Sequence, residues 1–370
     1  MNWKIKWSFF VIRLAIFVTF VWILNFYLSH HDHSLLGSLS SRADLASALN
    51  DSRGSLISTL KRNKLHQEQT KKSNHNPFEI TMVTLYFPLD DSQNKFTTDT
   101  YRIWMRTFGW MSNKLVALVT DDTTMNLLKK IRSHLPPERT VLIRVNRSQL
   151  GSFKDLDRVK KIFSQPLYPI HRPNTVNAEY PITMNAKYDA LQMAMDMGHV
   201  DTDYIAWVDI GYFRNLLYVK TPKNYSFTLE IPLDFEDTKI GFSEVSPRVS
   251  HTTPWDYIRH NIVWVAGGFV LGKKPVIQKF IKNFKRAFQN LLNDSMASTD
   301  QQTIGAMYSP QMIKEQNVKL KTYSCPKGRL QFQLYGPDLQ YFCLGYICKE
   351  AAQRRRAKVH SGHAPQTVPT

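Results

Sequence analysis

The stretch DYIAWVDIGYFR, residues 203–214, sets an acid at the end of an apolar run: Tyr204 to Val208 carry no charge, then come Asp209, Gly211 and Arg214. A run of this length bounded by charge and glycine predicts a strand buried on both faces of a mixed or parallel sheet. Such a strand has no use for a carboxylate inside it. At its carboxyl end, a carboxylate emerges into the crevice where open α/β sheets hold ligands, and Gly211 lets other backbone approach. Asp209 is therefore either a turn former or a ligand-site group.

Other residues could share that site. Lys187 lies on a helical pattern just before the Asp209 strand, where its ammonium could reach a diphosphate, although a lone helical Lys is usually solvated. WVAGGFVLG (264–272) places Gly267, Gly268 and Phe269 between apolar flanks, which suits a strand-turn-strand passing close to a bound sugar and equally suits a plain hairpin or bulge. STDQQTIGAMY (298–308) sets Asp300 and Gln301 at the front of an apolar helix, where Thr299 or Asp300 is also a good N-cap.

The elements needed to position these groups alternate along the chain. ITMVTLYF (80–87), LVALVT (115–120) and TVLIRV (140–145) predict strands; 98–111, TTMNLLKKIRSHL and 184–198 predict helices. This β-α-β-α-β order calls for a mainly parallel, Rossmann-like sheet flanked by helices, with right-handed crossovers.

Residues 7–28, WSFFVIRLAIFVTFVWILNFYL, contain a single charge, Arg13. At about 1.5 Å per residue a helix over them would span a bilayer. Lys4 and Lys6 precede the span, so the positive-inside rule puts a short arm, 1–6, in the cytosol and the remainder in the lumen. A cleaved signal peptide is the alternative, and it sends the chain to the same compartment. Sequons at Asn50, Asn146, Asn224 and Asn293 are compatible with it, and Cys325, Cys343 and Cys348 allow one disulfide whose pairing is not readable. Residues 29–77, polar with a short amphipathic pattern, read as a stem; 78–348 as the globular domain; and 349–370, basic and then Pro/Thr-rich, as a disordered tail. A net charge of +18 favours an anionic partner, but no nucleic-acid module is present and no nucleic acid is expected.

In order and content, ITMVTLYF, YPITMNAKYDAL, DYIAWVDIGYFR, WVAGGFVLG and TDQQTIGAMY resemble the HtrL/YibB family, whose members resemble glycosyltransferases of the GT-A fold. The resemblance runs from about Ile80 to about Pro310. It implies a single-pass type II membrane glycosyltransferase of the Golgi or endoplasmic reticulum lumen, moving a sugar from a nucleotide-sugar donor to a glycan or glycoconjugate acceptor. A noncatalytic, membrane-anchored carbohydrate-binding or scaffold protein of the same fold is the alternative. By the resemblance, Asp209 sits at the metal-diphosphate position; Gly267, Gly268 and Phe269 match the loop beneath the acceptor; and Asp300 with Gln301 matches the pair near the sugar, Asp300 as acceptor-orienting group or general base. Many GT-A enzymes carry Asp-x-Asp; here Ile210 and Gly211 follow Asp209, so the second acid is missing. A Mn²⁺ or Mg²⁺ ion can still be held by one carboxylate with phosphate oxygens and water, and in its absence Lys187 and Arg214 could supply the positive charge.

Overall fold

The computed structural model describes residues 76–88, 96–219, 222–325 and 338–360. The chain divides into Met1–His75 and Asn76–Thr370, and the described residues all belong to the second unit. The cytosolic arm, the span at 7–28 and almost all of the stem therefore lie outside the described residues, as does 361–370. Among the described residues no helix is long and apolar enough to cross a membrane.

The chain begins with β1 (Ile80–Tyr86), α1 (Thr98–Met105), α2 (Thr107–Trp110), β2 (Leu115–Val119), α3 (Asp122–Ile131) and β3 (Thr140–Arg144). The helix expected over 98–111 is broken at Arg106, whose N–H bonds back to Ile103 O while Thr107 Oγ1 donates to Trp104 O. Helix α3 starts where Asp121 accepts from Thr124 N at 2.7 Å, a cap worth about 1 kcal/mol. Next come α4 (Leu156–Phe163), α5 (Glu179–Asn185), α6 (Lys187–Asp196), β4 (Tyr204–Val208), β5 (Lys239–Glu244) and α7 (Pro254–Arg259). The helix expected over 184–198 is thus the end of α5 and all of α6, meeting at Ala186. The last elements are β6 (Val265–Lys273), α8 (Lys274–Asn293), α9 (Asp300–Met307), β7 (Lys319–Tyr323) and α10 (Leu339–His360).

The seven strands form one sheet in the order β3-β2-β1-β4-β6-β5-β7. All neighbouring pairs are parallel except those of β6, which runs antiparallel to both β4 and β5. Side chains alternate across the sheet: Val83, Leu85 and Trp207 belong to one buried cluster, Met82, Tyr86, Ala206 and Val208 to the other. The central strands are apolar on both faces because helices cover both. The GGF segment contains no turn. Strand β6 runs through it, and opposite Phe242 and Ser243 the register jumps, so that 267–269 form a bulge.

Beneath α2, the fully buried Arg132 donates to the carbonyls of Phe108 (2.6 Å), Met111 (2.8 Å) and Asn113 (2.7 Å). Burial, followed by the nearby Arg139 charge, lowers its pKa to about 10, so the guanidinium stays charged at neutral pH and serves as a fixed cross-link between α3 and the turn into β2.

The reading of 349–370 as a disordered tail requires correction, because α10 continues through it to His360. Ala351 and Ala352 are buried, and Arg355 Nη1 donates to Glu230 Oε2 at 3.1 Å and to Ile231 O at 2.8 Å. The Arg355 guanidinium also lies 4.1 Å from the centre of the Phe78 ring. The domain therefore extends beyond 348. Arg355→Ala should lower stability by about 2 kcal/mol in denaturant unfolding, since it strips a partner from the buried Glu230 carboxylate. Helix α10 also settles the cysteines: Cys343 pairs with Cys325, and Cys348 is a free, buried thiol.

Candidate functional site

The strand order reverses between β1 and β4: the chain builds outward through β2 and β3, then returns to place β4 on the other side of β1. Ligands of open α/β sheets bind outside the carboxyl ends of the strands at such a switch point. A cavity of about 420 Å³ opens there, lined by Tyr86 and Phe87 at the end of β1, Tyr101 and Trp104 of α1, Lys187 of α6, and Asp209, Gly211 and Arg214 after β4.

Asp209 shapes the turn after β4 and also presents its carboxylate to the cavity. Its backbone N–H extends the β4–β6 ladder to Gly268 O at 2.9 Å, and its carbonyl accepts from Tyr212 N at 3.0 Å to form the turn. Its half-buried carboxylate faces the cavity, with Oδ1 accepting from Trp207 Nε1 at 2.6 Å. Oδ2 lies so close to the β6 backbone that a Cβ at Gly268 would stand 3.2 Å from it. Gly211 has a comparable function, since a Cβ there would stand 2.6 Å from the Trp104 ring.

Arg214, half-buried on the wall, donates to Gly211 O at 3.1 Å and lies 3.7 Å from Asp338. Its guanidinium lies over the Trp104 and Phe342 rings, at 5.2 and 4.6 Å from their centres. Two aromatic neighbours and the Asp338 charge restrain the cation.

Lys187 is not solvated. It is 1% exposed and donates from Nζ to Asp300 Oδ2 at 2.8 Å and to Gly267 O at 2.8 Å, while lying 5.6 Å from the centre of the Trp207 ring. Asp300, at the first turn of α9, is 2% exposed and does not line the cavity, whereas its neighbour Gln301 does. Burial pushes the Asp300 carboxyl above its usual range; the Lys187 ammonium opposes this, and the Asp209 charge adds to it. Asp300 thus lies behind the wall, away from where an acceptor base was expected, and holds Lys187 at the cavity wall.

Gly267 is likewise buried behind the cavity surface. A Cβ at this position would overlap Asp300 Oδ2 and stand 2.9 Å from Lys187 Nζ. Gly267→Ala should then cost about 1 to 3 kcal/mol by prying the pair apart, a larger loss than Gly268→Ala, read by thermal or denaturant unfolding. Phe269 is wholly buried in the core, its ring centre 5.1 Å from that of Tyr212, so it supports the Tyr212 turn and cannot touch a ligand. That corrects its expected substrate contact. Of the GGF segment only Gly268 reaches the cavity.

Sequence reasoning missed the aromatic and hydroxyl lining. Burial, with the Asp209 charge next in weight, pushes the Tyr101 phenol up to about 12, and burial raises Tyr180 as well. Both phenols stay protonated at neutral pH and can donate. Thr183 Oγ1, also on the wall, is buried with no hydrogen-bond partner among the described residues. The spacing of Tyr101 and Trp104, one helical turn apart, was the available signal, but such a pair is more often core. Among the described residues no group of three or more His, Cys, Asp or Glu side chains is assembled as it would be to hold a metal through protein ligands alone.

Fold and site together define a mixed α/β domain whose ligand-sized cavity sits at the switch point of the sheet and is lined by two carboxylates, Asp209 and Asp338, and two cations, Lys187 and Arg214. The family model described as "Bacterial protein of unknown function (HtrL_YibB)" matches residues 78–317, and the chain belongs to that family. It is similar to Protein HtrL of Escherichia coli (strain K12), with 21% identity over 238 residues that cover 60% of this chain and 81% of that protein. The family match ends before β7, the disulfide and α10.

Proposed function

We propose that this chain is a nucleotide-sugar-dependent glycosyltransferase with a GT-A-like domain, acting on a glycan or glycoconjugate acceptor. The observation that carries the reading is the placement of Asp209 with Lys187 and Arg214 around one cavity at the β1/β4 switch point. The cations suit the two phosphates of a donor. The aromatic walls suit a nucleobase and the apolar faces of a sugar, and the orphaned Thr183 hydroxyl supplies a hydrogen-bonding group for a ligand.

Asp338, the other carboxylate on the wall, is the ion-pair partner of Arg214, so Asp209 fits a hard cation only when phosphate oxygens and water complete its shell, which a donor diphosphate provides. Asp209 would hold Mn²⁺ or Mg²⁺ through Oδ2, leaving Oδ1 to Trp207, and the ion would neutralise charge on the departing diphosphate. Lys187 and Arg214 bind and orient the phosphates by charge, each fixed beforehand by its own partner. Gln301 is the polar group of α9 that faces the cavity, and it takes over the sugar-facing part of the role first given to Asp300.

The apolar run at 7–28 supports a type II anchor in Golgi or endoplasmic reticulum membranes, and the sequon residues Asn146, Asn224 and Asn293 are all exposed. The purified protein, screened against common nucleotide sugars with and without Mn²⁺, should hydrolyse or transfer from one of them. Tight donor binding with no turnover on any acceptor would favour the noncatalytic carbohydrate-binding alternative, and no binding of any nucleotide sugar would overturn both.

A further inference from the structure

A second surface is built around the segment between α4 and α5. Leu167 is fully exposed and Ile170 is 80% exposed. Leu167 also adopts φ 64°, the left-handed region that leucine enters only against steric resistance. Trp255 of α7 borders the same shallow depression as Leu167, together with Gln165, Asp294 and Ser295. These apolar side chains are presented on a rigid support. Between the two exposed residues, buried Tyr168 donates from its hydroxyl to Ala297 O at 2.7 Å and accepts from Ala297 N at 2.8 Å, while its ring meets Trp255 edge-on at 6.0 Å. His171 bonds to Arg259 O at 2.9 Å, and Thr175 Oγ1 donates to Pro169 O at 2.6 Å. Among the described residues nothing covers the exposed leucine and isoleucine at the tip.

Basic residues outnumber acids around the tip, although Asp157 pairs with Lys160. Between 158 and 172 the sequence holds Arg158, Lys160, Lys161 and Arg172 and no acid, while Asp294 is the one carboxylate bordering the depression. Protruding aliphatic side chains, a neighbouring tryptophan and a collar of cations match the layered chemistry of a membrane surface: acyl chains, interface, then anionic headgroups. We propose that the 164–173 segment is a membrane-contact loop, inserting Leu167 and Ile170 into a bilayer that bears anionic lipids, with Lys161 and Arg172 meeting the headgroups. This contact is additional to the proposed span at 7–28 and does not depend on the catalytic reading.

The test uses the full chain reconstituted with vesicles, so that any anchor is present in every arm. An environment-sensitive fluorophore is attached at Leu167→Cys, or as a control at Lys129→Cys on α3; labelling is specific because Cys348 is buried and the other two cysteines are paired. Lipids brominated on the acyl chain should quench and blue-shift the probe at 167 and leave the probe at 129 unchanged. Quenching should be stronger with a phosphatidylcholine and phosphatidylserine mixture than with phosphatidylcholine alone. In that mixture, Lys161→Ala and Arg172→Ala should each weaken vesicle association of the loop by about 5-fold. Equal quenching at the two positions would overturn the proposal, as would a blue shift at 167 that needs no lipid and follows protein concentration, which would assign the tip to self-association.

Discussion

Asp209→Asn is expected to lower sugar transfer by about 30- to 1000-fold, equivalent to about 2 to 4 kcal/mol of transition-state stabilisation, without a change in thermal unfolding. The structural contacts of Asp209 survive the change. The backbone still bonds to Gly268 O and Tyr212 N, and an amide oxygen still accepts from Trp207 Nε1. Only the negative charge facing the cavity is lost. If Asp209 merely shaped the turn after β4, asparagine would serve as well, since both residues make the same local hydrogen bonds. Kinetics of the variant with saturating Mn²⁺ and matched folding controls separate the two roles, and activity within a few fold of the parent would remove Asp209 from the chemistry.

Lys187→Met should destabilise the domain by about 3 to 5 kcal/mol at neutral pH, the expected result of leaving one member of a buried ion pair without its partner. Asp300 is 2% exposed, and Lys187 is the charge that offsets its burial. With Lys187 gone, burial drives the Asp300 carboxyl further above its ordinary value of 3.8. The sign of the pH dependence follows: a carboxyl raised in the folded state gives stability that is fully present below the unfolded value and lost as pH rises through the folded one. The deficit of Lys187→Met relative to the parent should therefore be small near pH 4 and grow toward pH 7. Lys187→Met combined with Asp300→Leu should recover much of the loss, because no buried charge is left unpaired. Urea unfolding of the three proteins across that pH range measures it, and a deficit independent of pH would assign the loss to packing instead of charge.

Much of the local structure was legible. Residues 80–86, 115–119 and 204–208 are strands within a residue or two of where their apolar runs end, because burial on both faces leaves a one-dimensional trace in sequence; the edge strand 140–144, only partly buried, is found through its β-branched and aliphatic run. The cavity position of Asp209 was legible for the same reason: an acid that closes a buried strand has to emerge at the sheet's edge. The tail was misread because α10 buries its end through Ala351, Ala352 and the paired Arg355, none of which registers as apolar periodicity. The GGF segment was ambiguous because a bulge and a turn call on the same freedom in glycine.

By itself, then, the amino-acid order determined the α/β alternation, the carboxyl-end placement of Asp209 and the composition of the site's neighbourhood. Tertiary structure alone decided what those residues do. Lys187 and Asp300 are 113 positions apart, and each, seen singly, had an ordinary local explanation as a solvated helical cation and a helix cap. Their pairing is made at the Gly267 bulge of β6, where Gly267 O accepts from Lys187 while Asp300 takes the space a Cβ would fill. The physical reason is that the strength of an ion pair is set by the water excluded around it, and that exclusion is supplied by elements remote in sequence. For the same reason Arg214 became a restrained cation only when the fold brought Trp104 and Phe342 against its guanidinium.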